Sequence, residues 1–189
     1  MNQKEIILSY VARKINTGAF TQVKMDEIAK ENHISKKTIY NYFPTKNDLM
    51  EEALNVSFQK GKQNISKIRN SEGSAVDRIL KVQITAYEML KGLFPNQWKI
   101  IDNSFKNSEC INPLRSFFHY FLFKNFQELI IEGIRNGELN YQIELRVVTK
   151  KIIFDLYGIL EFGQKEVQEM GVEKMFYFHT GLMLKGLSK

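Results

Sequence analysis

Cysteine and proline are almost missing from this chain. A single cysteine, Cys110, excludes an internal disulfide framework and supplies no metal-ligand set, so it reads as a small core residue. Only three prolines occur, Pro44, Pro95 and Pro113, and each falls at a plausible helix edge, leaving long uninterrupted helical stretches. The three histidines, His33, His119 and His179, have no Cys, Asp or Glu at metal-ligand spacing. No run approaches the roughly eighteen uncharged apolar residues of a membrane span, and the start of the chain, with Lys4 and Glu5 in a short amphipathic run, lacks a signal-peptide pattern. A cytoplasmic protein is expected. There is no nucleophile elbow, Gly-rich phosphate loop, HExxH or recognisable Cys–His spacing. The acidic pairs Asp26-Glu27 and Glu51-Glu52 lie beside apolar helical stripes and read as solvated faces. Catalysis, cofactors and metals are therefore not expected.

What the chain has is positive charge and apolar helical periodicity. Its 189 residues allow one or two domains, and 43% apolar content is ample for a packed core. A net charge of +6 favours a polyanionic partner without identifying one. The first fifty residues carry eight Lys or Arg against five Asp or Glu, while the remaining 139 carry nineteen against sixteen. The same excess of three is concentrated in the first quarter of the chain.

That quarter contains MDEIAKENHISKKTIYNYFPTKNDL, Met25 to Leu49. Met25, Ile28 and Ala29 form one apolar face of a short helix. Glu31-Asn32-His33 breaks the pattern and Ile34 plugs the turn. Ser35 is a good N-cap, so a second helix runs from about Lys36 to Phe43, ended by Pro44. At about 100° per residue Ile39 and Phe43 share its buried side. Lys37 and Asn41 then centre the exposed face, with Lys36 and Tyr40 on one shoulder and Thr38 and Tyr42 on the other. Thr45 and Asp48 suit a capping box for the next helix. Lys46 opposes the macrodipole of that helix, at a cost of about 0.3–1 kcal/mol, unless a phosphate lies beside it. A basic, polar second helix in a small helical unit is what insertion into a DNA groove requires.

These positions resemble the DNA-binding domain of the TetR family of bacterial transcriptional regulators. The family pattern is an apolar first helix, a Gly-aromatic turn, an Ile-Ala pair, then Ser-x-x-Thr-aliphatic-Tyr-x-aromatic-Phe-x-x-Lys. Here Gly18 with Phe20, Ile28-Ala29, Ser35, Thr38-Ile39-Tyr40, Tyr42-Phe43 and Lys46 match it, over about Ile6 to Leu54. The resemblance implies phosphate contacts from Thr38, Tyr40, Tyr42 and Lys46, and base contacts from Lys36, Lys37 and Asn41. Thr21 and Lys24 join the DNA-binding set near the start of helix 2, where the family often carries a Thr-Thr or Thr-Ser pair and this chain has Val23-Lys24. The usual Ala-Gly of the turn is Asn32-His33, and asparagine is expected to supply the left-handed tolerance.

The remainder reads as helices throughout, with no period-two alternation flanked by hairpin turns. Two domains are expected: residues 1–46 as the helix-turn-helix unit and 47–189 as a helical effector-binding and dimerisation domain. An aromatic-rich middle suggests an effector pocket involving Trp98, Phe105, Phe117, His119 and Phe121, suited to an apolar or aromatic ligand. Aromatics at helical spacing also serve as core. The last two apolar helices could close the core of the monomer or pair across a twofold axis, as the resemblance implies. The seam would then use Ile152, Leu156, Ile159, Leu160 and Gly163, with Thr180, Met183 and Leu184. The expected protein is all-α: a homodimeric, ligand-responsive repressor of a palindromic double-stranded operator. The alternative is a helical ligand-binding or adaptor protein without DNA-dependent regulation.

Overall fold

The computed structural model describes residues 2–16, 23–91, 117–140, 142 and 144–187, and all regular structure among them is helical. The helices are α1 (Gln3–Asn16), α2 (Met25–Glu31), α3 (Lys36–Tyr42), α4 (Lys46–Arg69) and α5 (Ala75–Leu90). A π-helical turn, Phe117–Leu122, leads into α6 (Phe123–Arg135). Then come α7 (Leu145–Phe162), α8 (Gln164–Met170), α9 (Val172–Phe176), a second π-helical turn (Tyr177–Gly181) and α10 (Leu182–Gly186). Two compact units are present: Met1–Lys60 with Met89–Arg115, and Gly61–Glu88 with Ser116–Lys189. The first turns of α4 group with the helix-turn-helix helices, and its last turns with the second unit.

In the first unit, Ile7, Val11 and Ile15 bury one stripe of α1 beside Ile28 of α2, Ile39 and Phe43 at α3, and Leu49, Ala53 and Leu54 of α4. Fully burying an Ile or Phe side chain stabilises by about 1.5–3 kcal/mol, so this small cluster holds the short helices that could not stand alone. Local signals set the ends. Ser35 Oγ accepts from Thr38 N at 3.0 Å. Thr45 and Asp48 form the reciprocal capping box, Asp48 N donating to Thr45 Oγ1 at 3.2 Å and Thr45 N to Asp48 Oδ2 at 2.8 Å. α2 starts at Lys24 without a side-chain cap.

The turn corrects one expectation. Asn32 is not left-handed (φ −102°); His33 is, at φ +51°. Asn32 instead donates both its backbone N–H, at 3.1 Å, and its side-chain amide, at 2.8 Å, to Ile28 O, which ties it to the end of α2. His33 therefore occupies the position for which glycine has no Cβ penalty.

In the second unit the core draws on Ile79 and Val82 of α5, Phe126 and Ile130 of α6, Ile152 and Leu156 of α7, and Phe176 and Leu184 near the chain end. α6 closes as expected at Asn136-Gly137, with Gly137 at φ +75° and Glu138 N donating to Gly133 O at 2.8 Å. Arg78, almost fully buried, pairs with Glu132 and donates to Arg69 O at 2.7 Å. A buried polar chain crosses three elements: Gln83 Nε2 donates to Ile152 O at 3.0 Å and to Thr180 Oγ1 at 2.9 Å, and Thr180 Oγ1 donates to Asp155 Oδ2 at 3.1 Å. No described helix is long and apolar enough to cross a membrane.

Candidate nucleic-acid interface

The outward face of α3 is built by subtraction. Ile39 is its one buried residue, and that anchor turns Lys36, Lys37, Tyr40 and Asn41 to solvent. Lys37 and Asn41 make no hydrogen bond or ion pair among the described residues and so remain free to take an external partner. Tyr40 and Tyr42 are exposed at 46% and 41%. Thr38 is half-buried and shares its hydroxyl with Ser35 Oγ at 2.9 Å, so its first role is to lock the helix start. Tyr42 Oη lies 3.5 Å from Gln3 Oε1 on α1, at the long limit of a hydrogen bond. Lys46 is exposed in the first turn of α4 and has no carboxylate partner among the described residues. Lys24 is exposed at the start of α2. Thr21 lies outside the described residues.

Behind this face, charge is used for scaffolding. Lys14 of α1 pairs with Glu27 of α2 at 2.7 Å, and Tyr10 Oη reaches the same carboxylate at 3.3 Å. The hydrogen bond from Lys14 holds the Glu27 carboxyl below its ordinary pKa and raises that of Lys14, while burial followed by the Glu27 charge raises the Tyr10 phenol. Lys4 pairs with Glu52 at 2.9 Å and lies over the Phe43 ring. Sequence reasoning missed a further pair: Lys36, at the head of α3, is bonded to Asp26 of α2. The two are ten residues apart on different helices, so no helical spacing could reveal it.

The expected effector residues Trp98 and Phe105 lie outside the described residues, and so do the side chains of Phe117 and His119, whose backbones form the first π-helical turn. Phe121 is half-buried, with the Lys62 ammonium 5.8 Å from its ring centre.

Most of the residues expected at a dimer seam are buried in the single chain. Ile152, Leu156, Ile159, Leu160, Thr180 and Leu184 are buried inside their own unit, and Gly163 is buried as the C-cap of α7. Met183 is half-buried. The apolar surface on these elements is instead Val147, Phe154 and Phe162 of α7, with Phe178 and Leu182 near the chain end. Phe154 and Phe162 flank an open groove of about 370 Å³ that also reaches Glu166, Met175 and His179.

A three-helix unit with a capped, outward-facing polar helix, followed by a helical second unit, defines a helix-turn-helix architecture. Residues 7–53 match the family described as bacterial regulatory proteins, tetR family. The whole chain has the fold of solved regulators of that kind. A TetR-family regulator from Cytophaga hutchinsonii superposes with a TM-score of 0.78 at 14% identity, covering 98% of this chain and 94% of its own. FadR from Bacillus subtilis, solved in complex with stearoyl-CoA, gives 0.72 at 16% identity, covering 96% and 98%. Reduced NemR from E. coli gives 0.73 at 16%, covering 100% and 98%. Sequence comparison with curated proteins gives no match. Residues 7–53 are thus similar to the DNA-binding part of that family, and the chain as a whole shares the fold of its solved members.

Proposed function

We propose that the protein is a ligand-responsive repressor that binds a palindromic operator as a homodimer, reads bases with Lys36, Lys37 and Asn41, and holds the backbone with Tyr40, Tyr42 and Lys46. The observation that carries this reading is the pairing of a free, exposed Lys37–Asn41 face on a capped helix with an unpartnered Lys46 in the first turn of α4. Lys37 and Asn41 are one turn apart and present donors suited to base edges. Lys46 and the amides opening the 24-residue α4 suit a backbone phosphate.

Dimerisation is supported by the exposed aromatics of the second unit, Phe154 at 68% and Phe162 at 79%. Charge on α7 is polar along its length, with Arg146, Lys150 and Lys151 early and Asp155 and Glu161 late, although Lys151 is already paired with Asp155 of the same helix. Antiparallel pairing across a twofold axis would set the basic half of each copy against the acidic half of the other. Such a dimer supplies two recognition helices about 34 Å apart.

The effector is read as an apolar or aromatic small molecule bound in the second unit. FadR was solved with stearoyl-CoA, and a putative fatty acid metabolism regulator from Clostridium perfringens shares the fold at a TM-score of 0.66 and 16% identity. Long-chain acyl compounds are therefore the first to try. The regulator acts by binding rather than catalysis: an effector must favour one DNA-binding geometry, since equal affinity for both shifts nothing.

Selection from random DNA tests the whole reading. A palindromic consensus, bound by a species that sediments as a dimer and released by an acyl or aromatic compound, is the expected outcome. Failure to enrich any sequence would overturn it.

A further inference from the structure

The Asp26–Lys36 pair joins the two helices of the helix-turn-helix motif on the side that would face DNA. Lys36 is the first residue of α3 and is followed by Lys37, yet the two lysines stand in different states. Lys37 has no side-chain partner among the described residues, whereas the Lys36 ammonium is bonded to the Asp26 carboxylate. Neither partner is buried, with side chains 52% and 76% exposed, so the pair is not part of the core. Glu27 beside it is engaged on the other side, with Lys14 and Tyr10. Asp26 is thus the carboxylate of α2 that reaches the recognition helix.

Non-specific binding to DNA is driven by free cations that displace condensed counterions from phosphates. A lysine already neutralised by a carboxylate releases none. An ammonium also has three donors, so the bond to Asp26 leaves two available and fixes the direction from which they approach. Holding Lys36 in place removes it from the phosphate backbone and lowers the entropy lost when it meets a base acceptor.

The geometry points to Asp26 as a specificity-determining positioning residue, which aims Lys36 at a base edge and withholds it from backbone phosphates of unrelated DNA. This rests on the regulator reading above. Removing the carboxylate should free Lys36 to take a phosphate on any sequence, while giving no advantage on the operator.

The test compares wild type, Asp26→Asn, Lys36→Gln and the double variant on the selected operator and on a duplex of unrelated sequence, across a salt series. Asp26→Asn should tighten binding to unrelated DNA on the order of five- to tenfold per engaged subunit near 0.1 M salt, steepening its salt slope by about 0.9. Operator affinity should stay within about twofold or fall. In the Lys36→Gln background the effect of Asp26→Asn should vanish. A parallel rise on both DNAs, or a rise that persists without Lys36, would mean general charge repulsion and overturn the proposal. No change on unrelated DNA would overturn it too. Asp26→Ser provides a second variant if Asp26→Asn folds poorly. Wild type that binds no DNA would overturn the regulator reading and this inference together, whereas an operator-binding wild type with a parallel rise defeats this inference alone.

Discussion

Helices α3 and α7 expose their outer faces on opposite terms. α3 has seven residues, one of them buried, and its outward face is polar and basic. α7 has eighteen residues, a wholly buried stripe through Ile152, Leu156 and Leu160, and further apolar side chains at Val147, Phe154 and Phe162 on its outer side. In α3 polarity separates the working face from the packing face. In α7 both faces are apolar, so periodicity finds the helix without saying which face meets a partner. Surfaces that bind polyanions differ chemically from a protein core, whereas surfaces that bind another copy of the same chain resemble one.

The same charge placed on each face of α7 should have very different consequences. Leu156→Lys puts an unpaired ammonium at a fully buried site and should cost several kcal/mol, seen as loss of the cooperative thermal transition. Phe154→Lys alters an exposed site and should leave the melting transition nearly in place while converting dimers to monomers on sedimentation. If Phe154→Lys unfolds the protein, or remains dimeric at micromolar concentration, the exposed aromatics are not the seam.

On α3 and the start of α4 the expected effects are smaller and divide by chemistry. Lys37→Ala should lose about 1–3 kcal/mol of discrimination between operator and mismatched sites. Lys46→Ala should weaken binding to every sequence alike and reduce the salt slope by about 0.9 for each phosphate no longer neutralised. Equal behaviour of the two variants in a salt series over matched and mismatched duplexes would remove the division between reading and holding.

His33→Gly probes the turn that joins α2 to α3. A left-handed L-residue costs roughly 1–2 kcal/mol, partly offset in the variant by the greater freedom of glycine in the unfolded chain. A net gain of about 0.5–1 kcal/mol is expected in denaturant titration, with operator affinity unchanged. A fall in stability would mean that the imidazole makes a compensating interaction.

The smallest effect concerns pH. The folded pKa of Glu27 is held down by Lys14, so its contribution is present above the unfolded value, about 4.3. It disappears as pH falls through the lower folded value. Glu27→Gln should therefore flatten the acid limb of the stability curve without changing stability differences between pH 6 and 8. No change in that limb would show that the pair is immaterial.

Much of the first unit was legible because its signals are local. Ser35, Thr45 with Asp48, Pro44 and the Ile39/Phe43 spacing each act within one or two turns, and each occurs as expected. The left-handed residue was less so: Asn32 is the better candidate by propensity, but its side chain caps Ile28 O and the turn passes the strained conformation to His33. The Asp26–Lys36 bond was not legible, since it depends on how two helices cross.

By itself, then, the sequence determined the short helices α2 and α3, the caps at Ser35 and at Thr45 with Asp48, the all-α class and the outward group Lys37, Asn41 and Lys46, because hydrophobic period and capping chemistry are short-range. Only the tertiary structure decided which of two apolar faces of α7 is core, which residue bears the turn's strain, and which of two adjacent lysines is already held. The physical reason is common to all three. Burial, backbone strain and ion pairing depend on what other elements bring to a position, and neighbours distant in the chain are set by packing rather than by spacing.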